Sequence, residues 1–149
     1  MNPDFRDLLL ALRDAEARFL VVGAYAVSVH AEPRATGDLD LFVEPTPENA
    51  RRVHAALQQF GAPLYGLTEA DLATPDIVFQ IGLPPRRIDI LTSITAVSFE
   101  QAWQERVEVR YEDVCVPVIG RRALIANKLA LGRPRDLADV DSLRRLEPR

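Results

Sequence analysis

Three aspartates and one glycine carry the chemistry that this sequence can do. Asp38 and Asp40 open the run Asp38-Leu39-Asp40-Leu41-Phe42-Val43. Its alternation puts Asp38, Asp40 and Phe42 on one face of a strand and Leu39, Leu41 and Val43 on the other. Asp89 lies inside Arg87-Ile88-Asp89-Ile90-Leu91, where an unpaired carboxylate in a sheet core costs several kcal/mol. It needs either a partner or a face that opens onto a site. Mg²⁺ takes hard oxygen ligands, usually a few carboxylates together with substrate phosphates. Asp38 and Asp40 can share one such ion. Asp89, from a neighbouring strand, would complete a two-metal clamp with ions about 3.5–4 Å apart. Gly23 closes the apolar run Phe19-Leu20-Val21-Val22 and leads into a helix, whose first N–H groups and dipole favour a phosphate.

Each of these features has an ordinary explanation. With twelve Asp in 149 residues, about one Asp-x-Asp is expected by chance. A second instance, Asp139-Val140-Asp141, falls in a helical pattern, where residues two apart point about 200° apart and cannot chelate together. Gly23 by itself is a tight strand-to-helix turn, as in many α/β proteins. The first pair is set apart by its strand start, the glycine turn before it and the acid within a second strand.

The elements that must position these groups follow from periodicity and breakers. Phe5, Leu8, Leu9 and Leu12 mark an amphipathic helix over residues 4–17. Residues 19–22 form a buried strand, and Ala24 to Ala31 a helix that Pro33 ends. Thr46-Pro47-Glu48 is a strong helix start, and that helix stops at Gly61. Residues 77–81 and 87–91 flank Gly82-Leu83-Pro84-Pro85 as a hairpin or a close relative of one. Ser98-Phe99-Glu100-Gln101 caps a short helix. Residues 107–111 and 114–118 are two more strands of undetermined pairing. Helices over 121–131 and 136–146 close the chain. The expectation is one α/β domain over residues 1–149, a mixed β-sheet flanked by helices with two helices at the C-terminus.

Composition narrows the setting. A hydrophobic content of 48% with 27% charged residues is that of a soluble globular protein, with no run long enough to span a membrane. Met1-Asn2-Pro3-Asp4 does not begin a signal peptide, and the single Cys115 suits a reducing compartment, so the expected location is the cytoplasm. Residues 121–149 carry a net +4 and residues 1–120 a net −8: the basic end could meet a polyanion or be a solvated helix surface. Of eighteen basic residues only Lys128 is a lysine, which hints at a place that wants a compact ammonium.

Taken together, Gly23-Ala24, Arg34-x-Thr36-x-Asp38-x-Asp40, Asp89 in Arg-Ile-Asp-Ile-Leu, and Leu124-Ile125-x-x-Lys128 followed by Arg133-x-x-Asp136-x-x-Asp139 resemble the nucleotidyltransferase superfamily of DNA polymerase β type. The likeness runs from about residue 18 to 146 and is nearest to minimal bacterial members, including abortive-infection proteins of toxin–antitoxin systems. It implies a nucleoside triphosphate held with Mg²⁺ or Mn²⁺, an acceptor hydroxyl of a protein or RNA attacking the α-phosphate, and pyrophosphate as leaving group. By the same resemblance, Asp38 and Asp40 bind the ions, Asp89 helps activate the acceptor, and Lys128 contacts phosphate. A toxin–antitoxin role would bring a small partner protein encoded alongside. Arg34 and Thr36 lie near the metal loop, with functional and structural roles equally open.

The chain departs from the superfamily at Ala24, where a serine is usual, so a hydroxyl contact to the triphosphate is missing. That opens a second reading, a catalytically idle module of the same fold that binds a partner. A third reading, a plain interaction domain, requires Asp89 to be paired with an arginine and no cleft beside it. Arg86 and Arg87 are equally suited to phosphate or to a strand-end ion pair. His30 and His54 have no ligand spacing, Ser28 and Ser93 have no adjacent base, and Cys115 between two valines is expected in the core.

Overall fold

In the computed structural model, which describes residues 2–32 and 37–145, the apolar runs lie side by side as a six-stranded sheet. The elements are α1 (Pro3–Asp14), β1 (Phe19–Val22), α2 (Gly23–His30), β2 (Leu39–Val43), α3 (Pro47–Phe60), α4 (Glu69–Leu72), β3 (Val78–Ile81), β4 (Ile88–Leu91), α5 (Phe99–Gln104), β5 (Val107–Tyr111), β6 (Val114–Val118), α6 (Arg121–Leu131) and α7 (Pro134–Arg145). The strand order is β3-β4-β2-β1-β6-β5. The β1–β2, β3–β4 and β5–β6 pairs are antiparallel, and β1–β6 and β2–β4 are parallel. This is the mixed sheet of an α/β protein.

Local chemistry explains the boundaries. Asn2 caps α1 by accepting from the Asp4 N–H at 2.8 Å. Thr46 caps α3 through the Asn49 N–H, and Gly61 ends it in the left-handed region at φ 87°. Thr68 and Asp71 form a reciprocal capping box that holds the single turn of α4. The β3–β4 hairpin forms where the strand patterns flank Gly82. The last two strands, whose partners periodicity does not settle, form a hairpin that joins β1 through β6.

β1 is buried along its whole length, and Leu39, Leu41 and Val43 are buried on one face of β2. On the other face Phe42 meets Phe99 of α5 edge-on at 5.1 Å between ring centres. That second face continues to Asp40. Apolar packing therefore holds β2 from both sides and leaves its N-terminal end, with Asp38 just before it and Asp40 within it, to carry the acids.

One expectation fails. Cys115 is exposed, because Val114, Val116 and Val118 take the inward positions of β6 and alternation turns the residue between them outward. Its carbonyl accepts a hydrogen bond from Arg13 of α1. No helix among the described residues is long and apolar enough to cross a membrane.

Candidate active site

The parallel pairing of β2 with β4 puts Asp40 directly beside Asp89, flanked by the apolar pairs Leu39–Ile88 and Leu41–Ile90. Residues opposite one another on adjacent strands project to the same face. Two acids 49 positions apart in sequence therefore share one patch of sheet. Asp38 precedes β2, and its Oδ1 accepts the Arg87 backbone N–H at 3.0 Å. The Leu39 N–H donates to the Arg87 carbonyl at 2.9 Å, which locks the loop before β2 to the start of β4.

Gly23 completes the corner. Its φ of 67° lies in the left-handed region, and a Cβ there would meet the Asp40 carboxylate, with Cγ only 3.1 Å away. The turn thus brings backbone against the acid, which any side chain would prevent. Gly23, Ala24, Asp38, Asp40 and Asp89, with Arg87 among the acids, line one wall of a cleft of about 430 Å³, and Lys128 of α6, Arg133 of the α6–α7 link, and Arg135 and Asp139 of α7 line the other. The cleft sets an acidic wall against a predominantly basic one.

Lys128 is buried, with Nζ 3.4 Å from Asp136 Oδ1 and 3.2 Å from Asp139 Oδ2. Arg133 closes on the same acid: its Nε and Nη2 donate to the two Asp136 oxygens at 2.6 and 3.2 Å. These bonds, the first from Arg133, hold the Asp136 carboxyl down at about 2. The lone lysine is therefore oriented by two of the three acids of the last helix, Asp136 and Asp139.

Arg87 is the contact that settles the ambiguity left by the sequence. Its Nε and Nη2 donate to Asp89 Oδ1 and Oδ2 at 2.7 and 3.2 Å, and its Nη2 lies 3.6 Å from Asp38 Oδ2. Among the described residues no group of three His, Cys, Asp or Glu side chains is gathered as a metal-holding cluster. The Arg87 guanidinium sits among the carboxylates instead. Asp89 is paired with an arginine, as the plain interaction domain would require, but a cleft lies beside it, which that reading excludes.

Neither a family model nor a curated protein sequence matches this chain. Solved structures do. Lincosamide antibiotic adenylyltransferase LnuA, with lincomycin bound, superposes with a TM-score of 0.62 at 13% identity, over 99% of this chain and 98% of that one. A Thermotoga maritima protein assigned as a nucleotidyltransferase gives 0.62 at 13%, over 95% and 88%. The antibiotic-resistance factor ANT(2″)-Ia, in complex with adenylyl-2″-tobramycin, gives 0.59 at 16%, over 94% and 83%. This is the nucleotidyltransferase fold. At such identities the likeness establishes architecture, and the residues of the cleft must speak for chemistry.

Within the nucleotidyltransferase fold, the acidic wall makes one of its own acids hold its proton more tightly than usual. Burial, and then the neighbouring Asp89 and Asp38 charges, push the Asp40 carboxyl up to about 6, against the pull of Arg87 and Lys128. Arg135 enters the cleft from the first turn of α7; nothing in its sequence context distinguishes it from other surface arginines. Arg34 and Thr36 fall outside the described residues.

Other candidates stay structural. His30 binds the Ile119 carbonyl at 2.7 Å, and burial lowers its pKa. His54 binds the Leu67 carbonyl at 3.0 Å. A larger cavity of about 530 Å³ lies between α1, the end of α3 and the β3–β4 hairpin, lined partly by Asp4, Asp7, Asp14 and Arg86. It contains Ile88, the face of β4 turned away from Asp89, so it is separate from the cleft.

Proposed function

We propose that this protein is a Mg²⁺-dependent nucleotidyltransferase that moves a nucleoside monophosphate from a nucleoside triphosphate to an acceptor hydroxyl. The observation that carries the reading is the pairing of Asp40 with Asp89 on parallel strands, against a glycine turn and opposite a basic wall. The donor set is all carboxylate oxygen, which suits a hard divalent cation. Asp38, Asp40 and Asp89 would hold it, and Mn²⁺ would serve as well. Such a cation neutralises charge on phosphate oxygens during transfer.

The chain's own groups supply the rest. Gly23 and Ala24 present the first N–H groups of α2 to phosphate. Lys128, oriented by Asp136 and Asp139, and Arg135 face the anionic tail from the opposite wall. Arg34 and Thr36, four and two positions before Asp38 in sequence, are assigned to nucleotide binding. Asp89 accepts the acceptor's proton. Gln80 pairs with Asp89 across the β3–β4 hairpin and is exposed, so the acceptor reaches Asp89 from the β3 edge. The acceptor is a hydroxyl of a protein or RNA, in a toxin–antitoxin setting with a small partner protein encoded alongside. The domain spans residues 1–149 and acts in the cytoplasm.

One observation favours a second reading. Ala24 removes the hydroxyl that the superfamily places at this turn, which fits a catalytically idle module that binds a partner. Calorimetry with Mg²⁺ and each nucleoside triphosphate separates the two. The enzyme reading predicts cation-dependent binding that Asp38→Asn abolishes; an idle module shows no such binding.

A further inference from the structure

Arg87 binds two acids at once, Asp89 within β4 and Asp38 just before β2. Its backbone N–H is bonded to Asp38, and its side chain forms the two-pronged contact with Asp89 while approaching Asp38 at 3.6 Å. A planar guanidinium matches a carboxylate in this way better than an ammonium can. The Arg87 side chain is 28% exposed and lines the cleft, so it can leave its partners without disturbing the core. The β4 backbone stays fixed by its ladders to β2 and β3.

A guanidinium bonded to both oxygens of Asp89 takes up lone pairs that a divalent cation would use, and its positive charge opposes the entry of a second cation beside it. We propose that Arg87 is an exchangeable counter-ion: it holds Asp38 and Asp89 in place while the cleft contains no cation, and it yields them when one enters. The inference rests on reading Asp38, Asp40 and Asp89 as cation ligands. An internal competitor of this kind lowers apparent cation affinity by the fraction of time it occupies the ligands. Once released, the guanidinium faces a cleft that receives a polyanionic triphosphate, for which its fork is suited. Arg87 thus positions the acids by occupying them, and its release couples cation entry to a new anion contact.

The test is titration of the protein with Mn²⁺ alone, by calorimetry, near pH 8, for the unsubstituted chain, Arg87→Met, Arg87→Lys and Asp89→Asn. Arg87→Met is expected to bind Mn²⁺ about tenfold more tightly than the unsubstituted chain, by removal of the competitor. Arg87→Lys should fall between them, because a single ammonium cannot make both bonds to Asp89. Asp89→Asn should bind more weakly than all three. Should Arg87→Met not fold, NMR of the unsubstituted protein gives the same answer: the Arg87 Nε–H signal, assigned by its loss in Arg87→Lys, should move as Mg²⁺ binds. Equal or weaker Mn²⁺ binding by Arg87→Met, or a static Arg87 signal while Mg²⁺ binds, overturns the counter-ion and leaves the ligand assignment intact. No cation binding by any form, Arg87→Met included, removes the ligand assignment itself.

Discussion

Asp40 and Asp89 face each other across the parallel β2–β4 pair, one in direct register with the other. Two like charges so placed oppose folding. The Asp40 carboxyl is raised from an ordinary value near 3.8 to about 6, so the folded chain holds its proton more tightly than the unfolded chain does. Burial and the neighbouring acids thus make the Asp40 contribution to stability fullest below about pH 3.8, and it is lost as pH rises through about 6. With metal chelated, Asp40→Asn should exceed the unsubstituted chain in stability at pH 7.5 by about 2 kcal/mol, after allowance for partial exposure. The gap should close towards pH 4. Urea unfolding at the two pH values measures it, and a gap independent of pH would contradict the assignment.

Gly23→Ala joins two penalties, a left-handed backbone at φ 67° and a Cβ directed at the Asp40 carboxylate. Together they should cost about 2 kcal/mol of stability. The same change should weaken nucleoside triphosphate binding, since the α2 N-terminus must move away from the acid. Calorimetry and urea unfolding on one preparation read both effects.

Asp136 is wholly buried between Lys128 and Arg133. Asp136→Ala leaves the buried Lys128 with Asp139, and should destabilise by about 3 kcal/mol. Because the Asp136 carboxyl is lowered to about 2, its stabilising contribution is present above pH 3.8 and is lost as pH falls through about 2. Acid unfolding of the two forms should therefore converge. Lys128→Arg should not restore nucleotide affinity lost in Lys128→Ala, since a planar fork does not fit a pocket built for an ammonium.

Ala24→Ser restores the hydroxyl that the turn lacks. It should tighten triphosphate binding about five-fold, the worth of one modest hydrogen bond. An unchanged affinity would mean that the backbone N–H groups of α2 already bind the phosphates unaided.

Much of this arrangement is legible in the chain. Proline and threonine caps fix α3, the Gly23 turn is written beside its strand, and an acid at position 89 within an apolar run announces an open face. What escapes is set by long-range geometry. Register between β2 and β4 decides that Asp89 meets Asp40 and not Phe42, and no local pattern states it. Arg87 could equally have served phosphate; only its placement two residues from Asp89 on a strand end turns it inward to both acids. Cys115 is misjudged because its valine neighbours suggest burial, whereas alternation on β6 fixes the opposite. Asn49, buried and bonded to the backbone of Arg18 and Glu44, looks in sequence like any polar residue in a first helical turn.

The most direct test of nucleotidyl transfer is incorporation of label from each of the four α-labelled nucleoside triphosphates, with Mg²⁺ or Mn²⁺, into cell extract separated into protein, RNA and small-molecule fractions. The reading predicts label in the protein or RNA fraction from at least one nucleotide, absent when Asp38→Ala/Asp40→Ala replaces the unsubstituted chain. Transfer no greater than in that double variant, with either cation and in every fraction, would contradict it.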